Sequence, residues 1–162
     1  MKSIITPAIV AAGLAFTLAV SAGQTFAQTP DPVVLAPVTQ LADAFNKNDA
    51  AGIMAAHVPA PVILDEFAPY SWSGPTAVMD WGAGFAKYAA GIGMVGGTVQ
   101  INPPSVFEVN GDHAYVVSPS VITFVTKDKP IKNAGTFSFA LLKTPGGWRI
   151  QSWAYARGAA LP

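Results

Sequence analysis

The chain has 162 residues, no cysteine, and nine basic residues against nine acidic ones. That length holds one domain once a leader is set aside. The missing cysteines exclude a disulfide framework, and the absence of net positive charge excludes the electrostatic footprint of a nucleic-acid binder. Hydrophobic residues make up 51% of the chain and charged residues 11%, so packing rather than ion pairing must carry stability.

The N-terminus carries one positive charge, Lys2, followed by an apolar run from Ile4 to Ala22 and then small and polar residues to Gln28. This order of charge, apolar stretch and small-residue exit predicts a cleavable secretory signal over residues 1–27. Cleavage after Ala27 makes Gln28 the new start, and cleavage after Ala22 is the alternative. The rival is a retained membrane anchor, because the run approaches the ~20 residues of a spanning helix. The Gly, Ser and Thr content and the small residues at Ala22 and Ala27 favour cleavage. No cysteine follows, which excludes a lipid anchor on that residue. The expected product is periplasmic or secreted, without a stable membrane anchor, and consists of a linker (28–32) and a folded domain (33–162).

In the domain, Val34, Val38, Leu41 and Phe45 recur at helical spacing. They predict a helix ending near Asn48, its regular part starting near Ala36 because Pro37 belongs in a first turn. Asp49 is placed to cap a short helix from Ala50 to about His57. Pro59 and Pro61 end it, residues 62–67 read as a strand, and Tyr70–Trp72 as its short return. Ser73-Gly74-Pro75 opens a third helix with Pro75 at its first position; Val78, Trp81, Gly82, Phe85 and Ala89 form its apolar face. Gly91 to Gly97 reads as a flexible loop. Four strands follow, roughly Thr98–Val109, His113–Thr126, Ile131–Lys143 and Trp148–Arg157, separated by hairpin-type turns. Three helical segments and an antiparallel meander predict an α+β layer fold with helices covering one sheet face.

The order and spacing of several segments carry a resemblance. They are Phe45–Asp49 closing the first helix, the short helix with Met54, the strand from Pro61 to Phe67, Ser73–Pro75, and Gly147–Ile150 opening the last strand. Together they resemble the nuclear-transport-factor-two-like superfamily, in particular its SnoaL-like branch, over nearly all of the mature chain. The resemblance implies a cone: a curved, mainly antiparallel sheet wrapped round three N-terminal helices like a cystatin-like α+β barrel, with a pocket at its open end. That superfamily includes ketosteroid isomerases, scytalone dehydratase, polyketide cyclases and many non-catalytic binding domains, so the fold alone selects no function.

The resemblance to ketosteroid isomerase places Asp65 near that family's proton-shuttling carboxylate. On a strand, Asp65 and Glu66 would point to opposite faces, so at most one would reach the pocket. A carboxylate among apolar groups has a raised pKa, which suits a general base; the alternative is a solvated strand residue. The isomerase's oxyanion donors have no counterpart here: Leu41 stands where its Tyr is expected, and residues 136–140 contain no carboxylic acid. Steroid isomerisation is therefore not expected. His57 reads either as a helix C-terminal cap or as the partner of Asp65 in dehydratase-type acid–base chemistry. His113 reads as an exposed turn residue and Asp80 as a solvated helix residue. Two isolated histidines without a thiolate give no metal spacing, and no phosphate loop or nucleophile motif is present, so neither a metal nor a cofactor is expected.

Aromatic residues are the stronger feature. Trp72, Trp81 and Trp153 are expected to line a cavity between the third helix and the last strands, with Phe85 and Tyr115 also in contact with the ligand. Trp153 would stack on a flat molecule while Arg157, of the same strand parity, anchors a carboxylate or phosphate at the mouth. The alternative makes Trp153 plain core and Arg157 a surface charge. The leading expectation is an exported domain that binds a small apolar or aromatic molecule. The rivals are a lyase or isomerase using Asp65 with His57, and a non-catalytic module that forms a homodimer through its sheet face.

Overall fold

The computed structural model describes residues 28–162; the expected leader, with its cut points at Ala22 and Ala27, lies outside the described residues. An extended stretch, residues 28–31, leads into the first helix, α1 (Pro32–Asn46). Asp31 caps it by accepting the Val33 N–H at 2.8 Å, and Pro32 sits in the first turn, where its missing N–H has no helical partner to lose. The expected start near Ala36 is thereby corrected. Asp31-Pro32 is the stronger start signal, and the helix continues through Pro37, whose ring is buried. Val34, Val38 and Leu41 form the buried face, as their spacing predicts.

Asp49 caps the short helix α2 (Ala50–Ala56), its carboxylate accepting the Gly52 N–H at 2.9 Å. Strand β1 (His57–Leu64) follows directly, so it starts before the expected Val62 and stops before the expected Phe67. It stops because the Asp65 side chain accepts the N–H of Glu66 at 2.7 Å and Tyr70 N–H returns to the Phe67 carbonyl at 2.8 Å, which turns the chain out of the sheet. β2 (Ser71–Ser73) comes back antiparallel, with Trp72 opposite Ile63. Pro75 lies in a turn opened by Gly74 (φ +94°), so the third helix, α3 (Ala77–Gly91), begins two residues later than expected.

The remaining strands are β3 (Met94–Ile101), β4 (Val106–Asn110), β5 (His113–Thr126), β6 (Lys129–Thr144) and β7 (Gly147–Ala160). Two expectations fail here. The Gly91–Gly97 segment is largely not a loop: Gly91 closes α3, Ile92-Gly93 turns, and Met94–Gly97 opens β3, with a register shift between Val95 and Thr98 that the positive-φ Gly96 permits. The single strand expected over Thr98–Val109 is two, because Pro103 and Pro104 cannot donate to a ladder; both pieces pair with β5.

The sheet runs β2-β1-β7-β6-β5-β3, with β4 beside β5. Among the described residues only β1–β7 is a parallel pair. The sheet is open rather than closed into a barrel, and the helices cover its inner face. Alternation along β5 shows the two faces: Ala114 and Val116 are buried inside, while Tyr115 points out. In β7 the alternation breaks. Ile150 pairs with Leu141 and Ser152 with Ala140, so Gln151 is an extra, exposed residue. This bulge lets Trp148 and Ile150 before it, and Trp153 after it, all face inward. The fully buried centre, Ile63, Val116, Phe139, Leu141 and Ile150, lies on four neighbouring strands beneath the helices.

Candidate functional site

A cavity of about 80 Å³ opens between α1, α3 and the inner face of β3, β5, β6 and β7. Its wall is aromatic and aliphatic: Phe45 from α1, Trp81, Phe85 and Tyr88 from α3, Phe137 from β6, and Trp153 from β7 are among its lining residues. Its polar lining groups are Asp65, Glu66, Tyr88, Asn133, Tyr155 and Arg157, with the indole N–H groups of Trp81 and Trp153. Among the described residues, no three His, Cys, Asp or Glu side chains lie close enough together to hold a metal ion.

Asp65 and Glu66 both reach the cavity. The expectation that at most one could do so rested on a strand at these positions. The chain has left the sheet at Leu64, and turn geometry no longer forces neighbours apart. Asp65 Oδ2 accepts the Trp81 indole N–H at 2.8 Å and Oδ1 accepts the Glu66 N–H. Burial pushes its carboxyl above the usual carboxylate range, and the two hydrogen bonds only partly oppose that. Glu66 Oε2 is buried and lies 3.0 Å from Arg157 Nε, in an ion pair without a well-directed hydrogen bond. Burial raises Glu66, Arg157 lowers it, and neighbouring Asp65 raises it again. Arg157 itself is half exposed and stands at the mouth.

Tyr155 lies across Gly135, where any Cβ would overlap its ring, and its ring meets Phe137 at 4.8 Å. Burial, aided by the charges of Glu66 and Asp65, pushes its phenol up to about 12. It is therefore a neutral hydroxyl throughout the physiological range.

His57 lies outside this cavity's lining. Its Nδ1 is 2.8 Å from the Ile53 carbonyl, and its Nε2 is 3.1 Å from the Trp153 indole nitrogen. Indole only donates, so Nε2 accepts and the proton sits on Nδ1, where it caps α2. The ring is neutral, and burial holds its pKa below the ordinary imidazole value. His57 and Asp65 are thus not brought together. They are joined through two tryptophans: Trp153 meets Trp81 edge-to-face at 5.3 Å, and Trp81 holds Asp65.

Of the other expected ligand contacts, Trp81, Phe85, Trp153 and Arg157 line the cavity; Trp72 and Tyr115 do not. Trp72 is buried behind Phe67, 5.1 Å between rings, against Gly84 of α3. Tyr115 occupies the outer face of β5. His113 and Asp80 are exposed, and Asp80 accepts the Thr76 hydroxyl at 2.7 Å. Sequence reasoning weighed Glu66 only as the alternative to Asp65, and it missed Phe45, Phe67, Tyr88, Asn133, Phe137 and Tyr155 among the lining residues. For Tyr155 the signal was present, since it shares the strand parity of Trp153 and Arg157.

A family model described as the SnoaL-like domain matches residues 34–156. No curated protein matches the chain. Solved structures share the fold. A putative aromatic ring hydroxylase from Novosphingobium aromaticivorans is 16% identical, with 83% of this chain and 96% of that one covered at a TM-score of 0.65. A ketosteroid isomerase-like protein from Erwinia carotovora is 18% identical, with 78% and 95% covered at 0.62. The CaMKII hub of S. rosetta is 17% identical, with 81% and 98% covered at 0.63. At these identities the likeness is one of fold alone.

Proposed function

The chain belongs to the SnoaL-like domain family, and from the make-up of its cavity we propose that it binds a small apolar or aromatic molecule there. The observation that carries this reading is an inward-facing void walled by Trp81, Phe85, Phe137 and Trp153, with the part-buried carboxyl of Asp65 among its few polar groups. Trp153 supplies a flat surface, while Asp65 and the Glu66–Arg157 pair supply orientation. The volume sets a size. About 80 Å³ is roughly half of an engineered cavity that holds benzene, so a single ring either projects through the mouth or displaces side chains.

Export is part of the proposal. Residues 1–27 direct the chain across a membrane and are removed, so the ligand is a diffusible compound met outside the cytoplasm. Cell fractionation and N-terminal sequencing test this: a start at Gln28 or Gly23 agrees with it, and an intact Met1 in the cytoplasm contradicts it. Native mass spectrometry of protein taken from its own compartment tests the binding. A co-purifying small organic molecule lost on Trp153→Ala supports the reading, and an adduct unaffected by cavity substitutions counts against it.

The raised pKa of Asp65 favours a second reading, proton abstraction from a bound carbon acid as in a lyase or isomerase. His57 takes no part because its ring nitrogens are occupied. Besides the two indole N–H groups already engaged, Tyr88, Tyr155 and Asn133 are the neutral hydrogen-bond donors on the lining. Deuterium exchange at the α-carbons of cyclopentanone, followed by NMR, tests it: exchange above the solvent rate and lost in Asp65→Asn supports catalysis, and the solvent rate alone removes it. A third reading, a homodimer through the outer sheet face, draws on the exposed Val62, Leu64 and Tyr115 there. Sedimentation at micromolar concentration tests it, and a monomer throughout refutes it.

A further inference from the structure

We propose that the ligand of this cavity is an organic cation, a small amine or alkylated ammonium, held by Asp65 inside the aromatic wall. This deepens the binding reading given above and rests on it.

One charge on the cavity wall has no counter-charge. Three charged side chains line the cavity: Asp65, Glu66 and Arg157. Glu66 and Arg157 neutralise one another at 3.0 Å. Asp65 is left without a cationic partner. Its oxygens receive a neutral indole N–H and a neutral backbone N–H, neither of which cancels a full charge. Asp65 is part-buried, and an ion partly withdrawn from water without a counter-ion is disfavoured, so proteins ordinarily pair it or discharge it. An ammonium ligand supplies the missing charge and donates to the remaining lone pairs of the carboxylate.

The rest of the wall suits the same ligand. Trp81, Trp153, Phe137 and Tyr155 form a continuous aromatic chain, with ring centroids 5.3, 5.6 and 4.8 Å apart in that order. Aromatic faces attract cations, most strongly when the site is desolvated. An anion fits poorly, because Arg157 is already engaged and Asp65 opposes it. A neutral ligand leaves Asp65 as it is, desolvated and unmatched.

Calorimetric titration of the whole mature protein with benzylammonium, benzyl alcohol and benzoate at pH 7.5 tests the inference. These probes share a ring and differ in the charge of the attached group. The expected order is benzylammonium tightest, by about tenfold or more over benzyl alcohol, with benzoate weakest. Asp65→Asn removes the preference, bringing the ammonium to within about twofold of the alcohol. The unaltered protein gives a second readout: acidification that protonates Asp65 weakens the ammonium and leaves the alcohol unchanged. Glu66, Tyr88, Tyr155 and Arg157 line the same cavity, and burial raises Glu66 as well, so the same acidification is run on Asp65→Asn, where the ammonium should no longer weaken relative to the alcohol. Benzyl alcohol binding as tightly as benzylammonium overturns the cation inference and leaves the pocket intact. Failure of all three probes overturns the binding reading itself.

Discussion

Trp81→Phe isolates the contact that holds the site together. The substitution keeps a ring on α3 but removes the indole N–H that donates to Asp65 at 2.8 Å. A hydrogen bond to a charged acceptor contributes about 1.5–3 kcal/mol, and truncating a side chain that is 6% exposed adds a cavity of part-ring size, about 1 kcal/mol. The expected loss is about 3 kcal/mol, which for a domain of this size lowers the melting temperature by about 10 °C. The carboxyl of Asp65 also loses its strongest donor and must titrate higher than in the native protein. Urea unfolding gives the first quantity, and carbon-13 NMR of the Asp65 carboxyl gives the second. A double-mutant cycle separates the contact from the packing: in an Asp65→Leu background, Trp81→Phe should lose only the packing share, about 1 kcal/mol. Equal cost in both backgrounds, with an unmoved Asp65 titration, would refute the reasoning.

Three further outcomes follow from the geometry. His57→Leu leaves the Trp153 indole without its acceptor and should cost about 1–3 kcal/mol by urea unfolding, whereas His57→Gln, which can still accept, should cost less. Because burial lowers the His57 pKa, the unfolded chain binds the extra proton first. Its contribution is present above the ordinary value of 6.5 and is lost as pH falls below it, so the acid-side decline in stability should flatten in His57→Gln. Gly135→Ala drives a methyl group into the Tyr155 ring and should cost about 1–3 kcal/mol by chemical denaturation while weakening any cavity ligand; an unchanged midpoint would contradict the packing described. Tyr155 should be absent from the tyrosinate absorbance that develops near pH 10 and appear only as pH approaches 12, a late component missing in Tyr155→Phe.

Much of the scaffold was legible because burial imposes a period. Val34, Val38 and Leu41 mark the α1 face, and Asp49 marks the α2 cap, without reference to anything distant. The site was less legible because two local departures from regularity build it. Asp65 and Glu66 reach the same void only because the chain turns out of the sheet after Leu64, and strand parity, applied one turn too far, separates them. Gln151 inserts a residue into β7, so inward positions change parity midway; alternation places Trp153 and Arg157 on the pocket face, as observed, but puts Trp148 and Ile150 on the opposite one. The break between β3 and β4 was misread as one strand although Pro103 and Pro104, which cannot donate to a ladder, carry its signal. The partner of His57 was beyond reach of pattern reasoning, because Trp153 lies 96 positions away and is brought beside it by the β1–β7 pairing.

The four tryptophans divide into two pairs, and that division gives the most direct test of a ligand cavity on the inner face. Trp81 and Trp153 line the void, whereas Trp72 and Trp148 are buried elsewhere. Proton–nitrogen NMR resolves the four indole N–H groups. Titration with benzyl alcohol is predicted to shift the Trp81 and Trp153 signals saturably and together, leaving Trp72 and Trp148 in place. Four signals that stay fixed, or that drift in parallel without saturation, would contradict the account.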